Sequence, residues 1–324
     1  MAKRMLVTQG TTLEVRPVSE GVPAERSAEV VPAPVRERLA AYVALTKPRI
    51  IELLLITTVP AMIVAERGFP SVWLMLATLI GGTLAAGGAN AINCYLDRDI
   101  DGVMHRTRKR PLPAHKVSPS SALVFGATLG TAGFLFLWAT VNLASAVLAT
   151  SALLFYVFVY TAVLKRSTPQ NIVIGGAAGA VPALVGWSAV TGTVDWPALI
   201  MFGIIFYWTP PHFWALAMRY EREYERAGVP MMPVVYGRDE TAKHIVLYTF
   251  LLLAMCLALF SVGRMGLIYL TAAVGLNAAF VWWAVKLWRD PTTRRAWGLF
   301  KYSIYYLAVL FVAMAVDQLL YIQI

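Results

Sequence analysis

Polar positions along this chain are few and clumped. Between the clumps, apolar residues run on without the strict two-residue alternation of a half-buried strand. Apolar windows of about 20 residues, the helix length that crosses about 30 Å of hydrocarbon, recur at 50–66, 71–92, 120–139, 141–163, 171–192, 196–217, 244–262, 266–287 and 302–322. The pattern predicts an all-α fold, a polytopic membrane bundle of nine transmembrane helices. The first window is the weakest, because Glu52 and Pro60 interrupt it. No Gly/Ser linker or second composition regime breaks the series, so residues 43–324 read as one membrane domain. Residues 1–42 mix Pro, Val, Glu and Arg without a period and lack the apolar core of a secretory signal. They read as a disordered cytoplasmic tail, with an interfacial helix forming near 35–45.

Composition agrees with the windows: 58% hydrophobic against 14% charged residues in 324 positions, at a mean hydropathy of +0.63, lies outside the range of soluble domains. The net charge of +10 first suggests nucleic acid, but its distribution argues otherwise. Eight Lys and Arg precede the first window, then six fall in 95–118, two in 164–170, five in 218–243 and five in 286–301, while only Arg67 and Arg264 occupy the intervening loops. That alternation is the positive-inside pattern, and it places the N-terminus in the cytoplasm and the C-terminus outside, with no nucleic-acid partner. The two cysteines, Cys94 and Cys256, lie far apart in or beside apolar runs and suggest neither a disulfide nor a cysteine metal site.

Two cytoplasmic loops carry the candidate chemistry. In "NCYLDRDID" (93–101), Asn93, Asp97 and Asp101 recur at i, i+4 and i+8, so on a continuing helix they share one face while Asp99 points elsewhere. Two carboxylates and a carboxamide form an oxygen-only donor set suited to Mg²⁺ and poorly suited to zinc. Arg106, Arg108, Lys109 and Arg110 follow, and Lys47, Arg49, Lys165 and Arg166 stand at other cytoplasmic span ends, a supply of cations for phosphate. The second loop, "RYEREYERAGVPMMPVV", likewise puts its acids first, Glu221, Glu223 and Glu225, with Pro a few residues later. Glycines at 81, 82, 87 and 88 and at 175, 176 and 179 suit close helix packing, the last pair of segments including a GxxxG spacing at Gly175 and Gly179.

Asn93-x3-Asp97-x3-Asp101-Gly, followed by Arg106-Thr-x2-Arg110-Pro-Leu-Pro, resembles the first aspartate-rich motif of the UbiA superfamily of intramembrane prenyltransferases. The resemblance covers nearly the whole chain from Leu45 onward. It implies a nine-helix bundle, Mg²⁺ as cofactor, and a prenyl diphosphate bound under the cytoplasmic loops. Cys94 stands where quinone-pathway members usually carry Asp, which removes one ligand of that branch. "LTKPRI" (45–50), the stretch 164–187 and "WTPPHFWALAMRYEREYERAGVPMMPVVYG" (208–237) are similar instead to the branch that farnesylates protohaem. A His inside the apolar "PPHFWALA" has no use in a phenol prenyltransferase.

That branch implies farnesyl diphosphate and haem b as substrates, an integral membrane enzyme of the bacterial cell membrane making haem O, and haem A synthase or terminal oxidase assembly proteins as partners. Carried onto this chain, Asn93, Asp97 and Asp101 are the catalytic and metal-binding residues, with Glu223 as a second-loop ligand one methylene longer than the expected Asp. Lys47, Arg49, Arg106, Arg110, Lys165 and Arg166 would hold the diphosphate. His212 would contact or ligate the haem, and Tyr160, with Tyr156, would face developing positive charge, although helix packing is the ordinary use of such tyrosines. A quinone-type aromatic prenyltransferase is the rival within the superfamily. A transporter is the rival outside it, but transporters usually gather ions near the membrane midplane on broken helices, whereas these acids collect at one face.

Overall fold

The computed structural model describes residues 34–320, and at positions 49, 50 and 52–55 it describes the backbone alone. Those residues fold into helices throughout: α1 Val35–Leu45, α2 Pro48–Glu66, α3 Val72–Leu96, α4 Arg98–Val103, α5 Pro119–Thr140, α6 Leu143–Leu154 with a π-helical continuation Phe155–Leu164 and a last turn α7 Lys165–Ser167, α8 Asn171–Thr191, α9 Trp196–Arg219, α10 Glu221–Arg226, α11 Met232–Val262, α12 Leu267–Arg289 and α13 Thr293–Leu320. Among the described residues eight of these elements are long and apolar enough to span a membrane, counting Leu143–Ser167 as one, and α2 adds the shorter apolar stretch Ile56–Glu66. Nine elements therefore answer to the nine windows. A helix forms near 35–45, as α1, while residues 1–33 lie outside the described ones.

Two spans differ from their windows. α11 begins at Met232, twelve residues before the apolar run at 244, and α13 begins at Thr293, nine before the run at 302. A hydropathy window registers only the lipid-buried part of a helix, and both of these continue into the polar layer beside the acid-rich loops. Within α11, Gly237 sits at φ 78°, ψ 173°, a conformation open to glycine, and kinks the helix where it leaves that layer.

Chain neighbours pack side by side: α3 lies along α5, α8 along α9, and α9, α11, α12 and α13 follow in a ring that α2 joins to α8 and α13. α3 and α5 meet at glycines. A Cβ built on Gly88 would fall 2.7 Å from both the Gly126 carbonyl oxygen and the Gly130 nitrogen, so the backbones touch directly. Trp73, Trp138, Trp196 and Trp282 stand exposed on the outer surface, as side chains against lipid do. Between α2, α3, α6 with its π-helical stretch, α8 and α9 the packing leaves a cavity of ≈ 300 Å³, bounded by apolar side chains and by glycines of α3 and α8.

Candidate active site

The acid-rich segment begins where α3 ends. Asp97 is the residue between α3 and α4, yet its N–H still donates to the Asn93 carbonyl (2.9 Å) and its carbonyl accepts from the Asp101 N–H (2.8 Å), so the helical register carries through the junction. Asn93, Asp97 and Asp101 are buried at 2%, 0% and 2% exposure. Asp99 faces outward with 61% of its side chain exposed. Spacing alone predicted that partition.

Asn93 is the hub. Its amide nitrogen donates to Asp97 Oδ2 (2.8 Å) and to Thr161 Oγ1 (3.0 Å), and its amide oxygen accepts from Lys47 Nζ (2.5 Å). Lys47 reaches it from a left-handed backbone (φ 53°, ψ 64°) just before Pro48, a costly conformation for a side-chain-bearing residue. The preceding turn is tied down as well, because Asn90 Nδ2 donates to the Thr46 carbonyl (3.0 Å). Lys165 Nζ lies 2.5 Å from Asp97 Oδ2, and Arg110 grips both oxygens of Asp101 at 2.8 and 2.7 Å. Lys47, Arg110 and Lys165 thus converge on the three buried residues from three different segments.

The other expected cations are placed differently. Arg166 makes a bidentate pair with the exposed Asp99 (2.7 Å twice) and comes no closer than 3.9 Å to Asp97. Its hydrogen bonds hold the Asp99 carboxyl down at about 2. Arg106 turns to the second loop: its N–H donates to Glu223 Oε2 (3.3 Å), and its guanidinium donates to the Tyr224 hydroxyl (3.2 Å) and lies over the Tyr220 ring. The Arg49 side chain lies outside the described ones. Glu223 therefore meets the first loop through Arg106, and Glu221 is paired with Arg238 (2.6 Å). Cys94 is buried, its thiol 3.8 Å from the Leu45 carbonyl.

Among the described residues no three His, Cys, Asp or Glu side chains gather as a metal cage. A cage is unnecessary for Mg²⁺, which takes one or two carboxylates and fills its shell with water and phosphate oxygens. The fit rests on Asp97: its Oδ1 is sealed from solvent and accepts no hydrogen bond, with the Arg166 guanidinium coming only to 3.9 Å, a buried anionic oxygen left to accept a further cation. Asp101 adds a second buried carboxylate one turn on, while the Asn93 amide turns its nitrogen to Asp97 and its oxygen to Lys47, so the oxygen donors of this set are shared with the neighbouring cations.

The cavity lies directly beneath. Asn90, one turn before Asn93, lines it, as do Tyr156 and Tyr160, whose rings stack with centroids 5.3 Å apart. The π-helical winding puts them there. The Lys165 N–H donates to the Tyr160 carbonyl five residues back, and the Thr161 hydroxyl caps the Tyr156 carbonyl at 2.8 Å. One face of that segment then presents two tyrosines to the cavity, Thr161 to Asn93 and Lys165 to Asp97. Gly175 of α8 leaves room for the Tyr160 ring, and Gly176 for Thr209, as close packing predicts. Gly179 does not pack. A Cβ there, as at Gly82, would meet nothing within 4 Å, because both glycines face the cavity.

His212, with Trp208, Thr209 and Phe213, forms the α9 wall. The residue is 5% exposed, and its ring stacks on Trp208 at 4.3 Å and lies 4.7 Å from Phe300. Pro210 and Pro211 sit inside α9, where freed carbonyls are tolerated against neighbouring helices. Thr161 and Ser303, which hold Asn93 and His212, carried no sequence signal, since each meets its partner only across helices.

Comparison with known proteins bears on the whole arrangement. Protoheme IX farnesyltransferase 2 of Saccharopolyspora erythraea is 56% identical over 289 residues, 88% of each chain. Protoheme IX farnesyltransferase of Frankia alni is 54% identical over 284 residues, 86% of this chain and 98% of that one. Among solved structures, a digeranylgeranylglyceryl phosphate synthase superposes with a TM-score of 0.73 at 19% identity, over 87% of this chain and 99% of that one. A UbiA homolog from Archaeoglobus fulgidus bound to GPP and Mg²⁺ superposes with a TM-score of 0.59 at 15% identity, over 85% and 99%. At such identities the superpositions speak to the fold alone. The UbiA prenyltransferase family model matches residues 54–314, and on that match, together with relatives more than half identical across most of their length, the chain belongs to the UbiA prenyltransferase family.

Proposed function

We propose that the chain transfers the farnesyl group of farnesyl diphosphate to a vinyl group of protohaem IX, giving haem O for terminal oxidases. One observation supports this reading above the others: a cluster of buried carboxylates and cations stands one helical turn from an apolar cavity whose α9 wall holds a buried imidazole flanked by aromatic rings. The relatives named protoheme IX farnesyltransferase point to the same acceptor.

The diphosphate would sit at the mouth, where Lys47, Lys165 and Arg110 supply fixed positive charge to its oxygens. Asn93, Asp97 and Asp101 would hold Mg²⁺, which when bound offsets negative charge growing on the leaving group. The bond between farnesyl C1 and the diphosphate oxygen breaks with its electron pair going to oxygen. The terminal vinyl carbon of the macrocycle then forms the new bond to C1, the cation left beside the ring takes up water, and one proton is lost, leaving a hydroxyethylfarnesyl side chain. Tyr156 and Tyr160 turn their rings toward this path and favour transient positive charge. The apolar walls keep water from C1 until the carbon–carbon bond forms. His212 anchors the macrocycle so that one vinyl group faces C1, since misplacement by about 1 Å can cost about 100-fold in rate.

In this reading the mouth faces the cytoplasm of a bacterial cell, as does the N-terminus, and haem A synthase or oxidase assembly proteins take the product. Purified protein given farnesyl diphosphate, Mg²⁺ and haem b should return a haem heavier by one hydroxyfarnesyl unit, read by mass spectrometry of the extracted haem. Unmodified haem together with prenylation of a phenol such as 4-hydroxybenzoate would defeat the acceptor assignment.

A further inference from the structure

His212 carries a hydrogen-bond arrangement that the reaction does not itself require. Ser303, on α13 and 91 residues along the chain, places its Oγ 2.7 Å from His212 Nδ1. A serine hydroxyl owns one proton. Here it is donated to the Phe300 carbonyl, 2.7 Å away on the preceding turn. Oγ can then meet Nδ1 only as an acceptor, so Nδ1 carries the ring proton and Nε2 carries the lone pair. Nε2 has no hydrogen-bond partner among the described residues, and it is not sealed in protein as Trp214 Nε1 is, because the ring borders the cavity. The same serine secures the neighbouring wall, since its carbonyl accepts from Trp208 Nε1 at 2.8 Å.

We propose that Ser303 is a positioning residue that fixes His212 as the Nδ1–H tautomer and presents the Nε2 lone pair to the iron of the macrocyclic substrate. The proposal rests on the reading of the cavity as a haem site. Imidazole binds a metal through its unprotonated nitrogen, and the acceptor at the other nitrogen sets both the tautomer and the direction of the ring. Loss of such an acceptor typically lowers metal affinity 10- to 100-fold. A hydroxyl is a neutral acceptor, so it orients the ring without drawing the proton away. The stacked Trp208 and the Phe300 ring restrict rotation of the imidazole, and Ser303 selects which nitrogen faces out.

The test is titration of the full chain in lipid nanodiscs with haem b, read by the Soret band and by the iron–imidazole vibration. Wild type should show imidazole-ligated haem, and His212→Ala should lose that signature. Ser303→Ala should weaken haem binding about 10- to 100-fold and displace the vibration, with binding of farnesyl diphosphate unchanged. Thr and Val share a shape and differ by the hydroxyl, so Ser303→Thr should retain the signature and Ser303→Val should lose it, which decides the matter even if the Ala variant folds poorly. Equal haem binding by the Thr and Val variants would overturn the role of Ser303 while leaving the haem site intact. A wild-type spectrum that His212→Ala does not alter would overturn ligation itself, and a protein that takes up no haem would bring down the proposed acceptor with it.

Discussion

Removing the charge of Asp97, Asp99 or Asp101 one at a time separates the buried face of the acid-rich segment from its solvated one. Asp97 is closed off, its side chain 1% exposed and that of its partner Lys165 16%, with 2.5 Å between the charged atoms. Deleting one partner of a buried pair costs about 3–5 kcal/mol, and the lower end applies here because Lys165 still reaches water. Loss of one preorganised electrostatic contact to a departing anion costs about 100- to 1,000-fold in turnover. Asp97→Asn is therefore expected to melt several degrees lower and to lose at least about 100-fold in haem O formation per folded molecule. Asp101→Asn should behave alike, since its side chain is 3% exposed and both its oxygens accept from one Arg110 nitrogen. Asp99 and Arg166 are 61% and 39% exposed, and solvent screens such pairs to about 0–1 kcal/mol, so Asp99→Asn should stay close to wild type. The pH dependence follows the same sign. Asp99 is held at about 2, below its ordinary 3.8, so its small contribution is present above that ordinary value and is lost as pH falls toward 2. Melting curves and extracted haem, measured on all three variants, give the comparison. Equal losses from the three substitutions would refute the one-face argument.

Two further outcomes follow from the fold. Because Gly82 and Gly179 face open cavity, Gly82→Phe should leave the helices packed but shorten the space for the prenyl tail, lowering turnover with farnesyl diphosphate about 10-fold or more while sparing geranyl diphosphate. A parallel loss with both diphosphates would count against that placement of the tail. A reporter active only outside the cytoplasm, fused after Ile324, should give signal, because nine spans and the loop charges put the two termini on opposite sides. Silence from a stably expressed fusion would reverse the topology.

How much of this could be read from the residues in order depends on the range over which each feature acts. Hydrophobic windows report depth in the membrane, a local property, and they located nine elements and the polar mouths between them. Spacing reports the side of a helix, and it separated Asp97 and Asp101 from Asp99 because the register survives the junction at Asp97. Neither quantity says which way a helix is rotated about its axis toward a distant neighbour. The pairings of Lys47 with Asn93, Lys165 with Asp97 and Ser303 with His212 join residues 46, 68 and 91 positions apart, and they depend on that rotation. The π-helical stretch was hidden for a related reason: "FYVFVYTAVL" is apolar on every side, so its pattern is indifferent to the winding. Only contact with Asn93 and Asp97 distinguishes five-residue spacing from four, because it brings Thr161 and Lys165 to bear together. In lipid an apolar helix gains little from any one rotation, so the few buried polar groups choose it. Asn93 is such a group, bonded to Lys47, Asp97 and Thr161 at once, and the contacts that fix the helices around it are the ones that assemble the site.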